Sequence, residues 1–221
     1  MKYIFVILII SSILILLSTN SLKEKFKSKN KINLKYSKNF TDRHTKNWLS
    51  VTKKFIKNPN VKMLELGTYE ARSSKFFIDN ILTGKNSELV TVDFKPDITK
   101  YSLSNINQME DYYPNFNFIR ADFKKFLAEE ISLDRKYDII YQDGGKLSLT
   151  TMYQLICCYY LLNSGGVLII DDYEWVNKNK SKNNKLNNND GPKEAVDTFI
   201  KFVNNDITLL HKGYQLILKK N

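Results

Sequence analysis

Apolar residues recur along this chain in two rhythms. The short runs Val61–Leu66, Glu88–Asp93, Asn117–Arg120, Tyr137–Gln142 and Val167–Ile170 have the length of buried strands. Between them the apolar positions follow helical spacing. Trp48, Leu49, Val51, Phe55 and Ile56 predict an amphipathic helix that starts at Thr41 as N-cap and stops near Asn58-Pro59. Ala71, Phe76, Phe77, Ile78 and Leu82 predict a second, with Gly84 as its C-cap. Weaker patterns predict helices over 98–113, 123–131 and 150–162. Pro192 opens a helix over 193–203, and 207–211 and 214–218 flank Lys212-Gly213 as a hairpin. Strands that alternate with helices specify an α/β fold, a doubly wound and mostly parallel sheet.

Two stretches depart from this alternation. Residues 3–17 are almost wholly aliphatic, broken only by Ser11 and Ser12. With their flanks they make a helix of roughly 26 Å, against a bilayer core of about 30 Å. Residues 1–20 therefore read as an N-terminal hydrophobic helix, either a membrane anchor or a signal peptide. Leu17-Ser18-Thr19 is a poor cleavage site. Lys2 alone precedes the apolar run, whereas Lys23, Lys25, Lys27, Lys29 and Lys31 follow it. The positive-inside rule then puts the C-terminal side in the cytosol; cleavage would instead make the product secreted or lumenal. Residues 174–190, rich in asparagine and lysine, read as a mobile loop that could serve as a lid.

Charge sharpens the division. The net charge is +11. Residues 20–62 hold 13 Lys/Arg against 2 Asp/Glu, and residues 63–221 hold 20 against 21. The basic excess thus sits in a linker, residues 21–40, and at the start of a domain spanning 41–221 with its core from residue 60. A lysine-rich linker suits an anionic membrane surface. Nucleic acid is the competing partner, although aromatics are sparse in the basic stretch. Cys157 and Cys158 are adjacent within an apolar helical pattern. They read as small buried residues in a reducing compartment, not as a disulfide framework.

Candidate chemistry gathers at the strand ends. The segment VKMLELGTYEARSS is strand, tight turn and helix, which puts the turn and the helix N-terminus at the ligand-binding edge of an open sheet. Gly67 lets the backbone approach a ligand. Glu65 can accept hydrogen bonds from a cationic or hydroxylated ligand group. Ser73 and the first free N–H groups of the helix can hold a carboxylate. Asp93 closes the second strand, where an ionised acid can accept two O–H bonds in fixed geometry. Asp122 follows the third strand, as a ligand acceptor or as the N-cap of the next helix. The fourth strand runs into Asp143-Gly144-Gly145-Lys146 and the fifth into Asp171-Asp172-Tyr173. Three carboxylates brought to one edge repel each other unless a cation holds them, and a hard divalent ion such as Mg²⁺ suits oxygen ligands.

The stretch E-L-G-T-Y-E-A-R-S resembles the first motif of class I S-adenosylmethionine-dependent methyltransferases. The likeness is greatest to the catechol O-methyltransferase-like group and the relatives that methylate sugars and macrolides. Their pattern E-[LIV]-G-[ST]-[YF]-x-G-x-S has glycine where this chain has Ala71. The resemblance implies a seven-stranded Rossmann-like sheet with an antiparallel last strand. It implies S-adenosylmethionine held by Glu65, Gly67, Tyr69 and Ser73, with Asp93 on the ribose hydroxyls and Asp122 at the adenine amino group. It also implies Mg²⁺ or another divalent cation on Asp143, Asp171 and Asp172. Lys146 falls where the catechol enzymes place a lysine base and many sugar-modifying relatives a histidine, so Lys146 and Asp143 are the expected catalytic pair. The implied reaction is O-methylation of a small-molecule or carbohydrate hydroxyl. No N/D-P-P-Y follows strand four, which argues against methylation of base amino groups. A nucleic-acid methyltransferase using the basic segment, and a non-catalytic membrane-tethered cofactor-binding protein, are the alternatives. His211 receives no role.

Overall fold

A computed structural model describes residues 32–95, 97–176 and 191–221. The apolar segment, most of the basic linker and most of the 174–190 loop lie outside the described residues. No helix among the described residues is long and apolar enough to cross a membrane.

From Leu34 onward the chain forms one compact unit. In order, the elements are α1 (Thr45–Thr52), β1 (Lys62–Leu66), α2 (Arg72–Asn80), β2 (Glu88–Asp93), α3 (Ser102–Tyr112) and β3 (Phe116–Arg120). Then come α4 (Phe123–Ser132), β4 (Tyr137–Gln142), α5 (Ser148–Leu161), β5 (Leu162–Ile170), α6 (Pro192–Val203), β6 (Ile207–Lys212) and β7 (Leu216–Lys220). The strands form one sheet in the order β3-β2-β1-β4-β5-β7-β6. β7 runs antiparallel to both neighbours, and the pairs among β1 to β5 are parallel. This is the doubly wound, mostly parallel sheet that the sequence pattern predicts, with the reversed last strand that the resemblance implies. The order reverses at β1 and β4, so a crevice opens at their carboxyl ends.

Alternation along the strands builds the core. Leu64, Leu66, Val90, Val92, Ile140, Leu168 and Ile170 pack with Leu127, Leu155, Cys158, Leu161, Val196 and Phe199 from α4, α5 and α6. Trp48 of α1, fully buried, meets Phe77 of α2 at 4.7 Å and Tyr141 of β4 at 5.4 Å between ring centroids. Cys157 and Cys158 are free and buried, as small core residues.

Four boundaries differ from the sequence reading. α1 starts at Thr45, because Thr41–His44 form a separate turn closed by His44 N to Thr41 O. α3 is shorter than 98–113. Gly84 does not cap α2, which ends at Asn80; a side chain at Gly84 would strike the carbonyl of Asn58. β5 begins at Leu162 and takes in Asn163-Ser164-Gly165-Gly166, with Gly165 at φ +77°. The compact unit also starts before residue 41. Lys35 exchanges two hydrogen bonds with the Asn105 side chain, and Ser37 N donates to Glu70 Oε2 at 2.8 Å.

Candidate active site

The turn after β1 is wound tightly. Gly67 (φ +99°), Tyr69 (+49°) and Ala71 (+57°) are all left-handed. Gly67 is required twice over: its φ disfavours a side chain, and a Cβ there would lie 2.6 Å from the carbonyl oxygen of Asp143. Close approach of β1 and β4 therefore depends on it.

Asp93 organises this turn. Its Oδ2 accepts from Thr68 N and Tyr69 N, and its Oδ1 from Lys95 N, each at 3.1 Å. Glu65 lies deeper than expected. It has no exposed surface, and its carboxyl accepts from Ser73 Oγ and Ser74 Oγ at 2.5 Å and Thr91 Oγ1 at 2.8 Å. Burial pushes its proton affinity up to a pKa of about 7, against the pull of those three hydroxyls. Glu65 is thus a brace under the turn that stands outside the cleft lining, and Ser73 spends its hydroxyl on that brace. Asp122 is the N-cap of α4: its Oδ1 accepts from Lys124 N at 2.9 Å and Lys125 N at 3.3 Å.

A cleft of about 630 Å³ runs from this turn to the ends of β4 and β5. Gly67, Tyr69, Ser73, Asp93, Asp143, Lys146, Asp171 and Asp172 line it together. Glu65 and Asp122 do not. The second half of the cleft is crowded with acid. Burial first, then the charges of Asp171 and Asp172, hold the Asp143 proton well above the usual carboxylate range, with Lys146 pulling the other way. Tyr141 Oη donates to Asp171 Oδ2. Asp172, left-handed at φ +54°, accepts from Lys146 Nζ and, at 2.7 Å, from Tyr214 Oη. The bond to Asp172, after burial, pushes the Tyr214 hydroxyl up to about 12.

The metal group expected from the sequence is not assembled. Among the described residues no three His, Cys, Asp or Glu side chains are grouped to hold an ion. The reason is visible in the partners: Tyr141 holds Asp171, while Lys146 and Tyr214 hold Asp172. Lys146 therefore stands as the local cation, its Nζ also 5.4 Å from the Trp175 ring centroid.

Several site residues escape sequence reasoning. Tyr141 reads there as strand core and Tyr214 as hairpin. Arg43 stacks over the Tyr214 ring at 4.3 Å and donates from Nε to His44 Nε2 at 2.8 Å. Burial lowers the pKa of His44, which stacks between Trp48 and Tyr214. Glu70, 1% exposed, ties Ser37 N to Thr99 Oγ1. Only a buried acid in a turn signals it, and spacing does not reveal that. His211 contacts Asn47 Nδ2 at 3.1 Å.

The family model of a methyltransferase domain matches residues 64–173, from inside β1 to just past β5. Residues 64–173 are thus those of a methyltransferase domain. Solved structures share its fold at low identity. The O-methyltransferase from Bacillus cereus in complex with SAH is 14% identical with a TM-score of 0.58, over 92% of this chain and 91% of that one. The MycE methyltransferase of the mycinamycin biosynthetic pathway, in complex with Mg, SAH and mycinamycin VI, is 13% identical with a TM-score of 0.60. The match takes in 83% of this chain but only 51% of MycE. An rRNA methylase from Streptococcus thermophilus is 12% identical with a TM-score of 0.53, over 84% of this chain and 99% of that one. No curated protein matches the sequence. Within the matched residues, the Gly67 turn and Asp93 line one half of the cleft, and Asp143, Lys146, Asp171 and Asp172 the other.

Proposed function

We propose that this methyltransferase domain transfers the methyl group of S-adenosylmethionine to a hydroxyl oxygen of a small-molecule or carbohydrate acceptor. One observation supports the reading best. A lysine and three carboxylates from the ends of β4 and β5 share a cleft with the turn that suits the cofactor. The free N–H groups at the start of α2 suit the cofactor carboxylate. Lys146 leaves Asp172, releases one proton to solvent water and, as the neutral amine, takes the proton of the acceptor hydroxyl. The oxygen attacks the sulfonium methyl in line, so a C–O bond forms as the C–S bond breaks and the demethylated cofactor departs.

The donor set also fits a hard divalent cation in its chemistry. Three carboxylates line the one cleft, and a hard cation takes oxygen ligands. Asp143, Asp171 and Asp172 would hold the ion, with Lys146 displaced from Asp172. A bound cation would supply Lewis-acid polarisation of the acceptor oxygen.

Labelled S-adenosylmethionine offered with phenols, sugars, nucleosides and RNA, with and without EDTA, tests both parts. Transfer to a phenol or sugar is expected, and transfer to RNA alone would overturn the acceptor class. A rate unchanged by EDTA would remove the cation and leave the transfer.

We also infer that residues 3–19 anchor the protein, with the domain in the cytosol beside its cofactor. The apolar length and the lysines that follow support this reading. The full chain should then stay with membranes through a high-salt wash, which releases proteins held by charge alone.

A further inference from the structure

We propose that the rim of the cofactor cleft docks on an anionic lipid bilayer, so that the cleft opens toward the membrane. The inference rests on the anchor reading above and goes beyond it, because an anchor alone does not orient the domain.

The rim is apolar where a soluble enzyme would be polar. Thirteen large apolar side chains are exposed among the described residues, and six of them stand on loops or a helix start at the carboxyl edge of the sheet. These are Phe40 (52% exposed), Phe94 (55%), Ile98 (51%), Leu147 (62%), Leu149 (83%) and Val176 (69%). Phe40 and Ile98 also line the cleft. Each comes from a different stretch of chain or flanks a site residue: Phe94 follows Asp93, Leu147 follows Lys146, and Val176 follows Trp175. Exposed apolar groups gathered round a polar cleft mark an interaction surface.

Charge chooses the partner. Lys38, Arg43, Lys95 and Lys100 are exposed on the same edge, against Asp42, Asp97 and Glu174. Asp42 is already held by Arg72 at 3.0 Å. Lys23, Lys25, Lys27, Lys29 and Lys31 precede Lys38 in the sequence. Basic side chains interleaved with apolar ones suit a bilayer with anionic headgroups.

The compact unit begins at Leu34, and residues 38–43 supply one wall of the cleft.

The chain contains two tryptophans, and they report on the question by themselves. Trp48 is fully buried, whereas Trp175 lies on the rim. The full chain is reconstituted in phosphatidylcholine–phosphatidylglycerol vesicles whose acyl chains carry bromine as a quencher. Tryptophan emission should fall relative to unbrominated vesicles, and Trp175→Phe should remove that fall. The double substitution Phe94→Ser and Leu149→Ser, at exposed positions, should cut the quenching at least by half while the protein stays bound. Protein that survives a high-salt wash on vesicles with Trp175 unquenched would overturn docking and leave the anchor standing. Protein lost in the wash would overturn both.

Discussion

Two acid clusters share one sheet edge and are treated in opposite ways. Under the β1 turn, Glu65 and Asp93 are saturated: three hydroxyls serve one, and three backbone amides the other. At the ends of β4 and β5, Asp143, Asp171 and Asp172 face each other with two tyrosines and one lysine between them. Satisfied acids fix geometry, since every lone pair they use pins a loop. Crowded acids store electrostatic free energy that a ligand, a proton or a cation can release. The difference separates a half of the cleft that satisfied acids hold fixed from a half whose acids stay crowded.

The sharpest way to break the comparison is Lys146→Ala. Lys146 touches no part of the Gly67 turn, so affinity for the demethylated cofactor, measured by calorimetry, should change little. Turnover should fall by about 10²–10⁴-fold, the usual worth of a positioned proton acceptor. Lys146 is about half exposed, so its ion pair with Asp172 contributes about 1 kcal/mol or less to stability. A variant that loses cofactor affinity as much as rate would mean that the two halves are one.

The next effect is on stability against pH. Glu65 moves from an ordinary value of 4.5 to about 7 in the folded protein. Between these values the unfolded chain has released the proton and the folded one still holds it. Stability therefore falls as pH rises from about 4.5 to about 7, by up to about 3 kcal/mol, and levels off above. Asp143 is shifted in the same direction and adds to the decline. Glu65→Gln should flatten much of the slope in melting temperature across that window, because its amide never ionises. A slope unchanged by the substitution would place the proton uptake elsewhere.

Asp93→Ala tests the saturated half directly. The turn would lose the acceptor for Thr68 N, Tyr69 N and Lys95 N, and cofactor affinity should weaken by about 1.5–3 kcal/mol. The metal-free rate with saturating cofactor should suffer much less than in Lys146→Ala. Equal losses in both quantities would show that Asp93 shapes the acceptor half too.

The sheet was legible because strand periodicity and strand ends are local properties. Glu88–Asp93 and Tyr137–Gln142 stand where the apolar runs put them, and topology carries Asp93, Asp143, Asp171 and Asp172 to one edge. What was not legible depends on partners distant in the chain. Nothing in E-L-G says that Ser73, Ser74 and Thr91 will satisfy Glu65 and remove it from the cleft. Nothing near Asp172 announces Tyr214, 42 residues on. The turn-like Asn163-Ser164-Gly165-Gly166 hid the start of β5, because propensity cannot see the strand pairing that overrides it.

The smallest effect belongs to the position that departs from the family pattern. Ala71 sits where the resembling enzymes have glycine, and it is left-handed at φ +57° and fully buried. A left-handed conformation costs a residue with a Cβ about 1–2 kcal/mol. Ala71→Gly should relieve that strain, while the unfolded chain gains entropy that offsets part of it. The net expectation is a stabilisation of about 0.5–1 kcal/mol, or roughly 1–4 °C in melting temperature for a domain of this size. Ala71 N donates to Thr68 O and Ala71 O accepts from Lys75 N, and glycine keeps both bonds. Cofactor affinity should therefore hold. A stabilised variant with unchanged affinity would confine the strain at Ala71 to folding. A destabilised one would show that the buried methyl group contributes more through packing than its backbone angle costs.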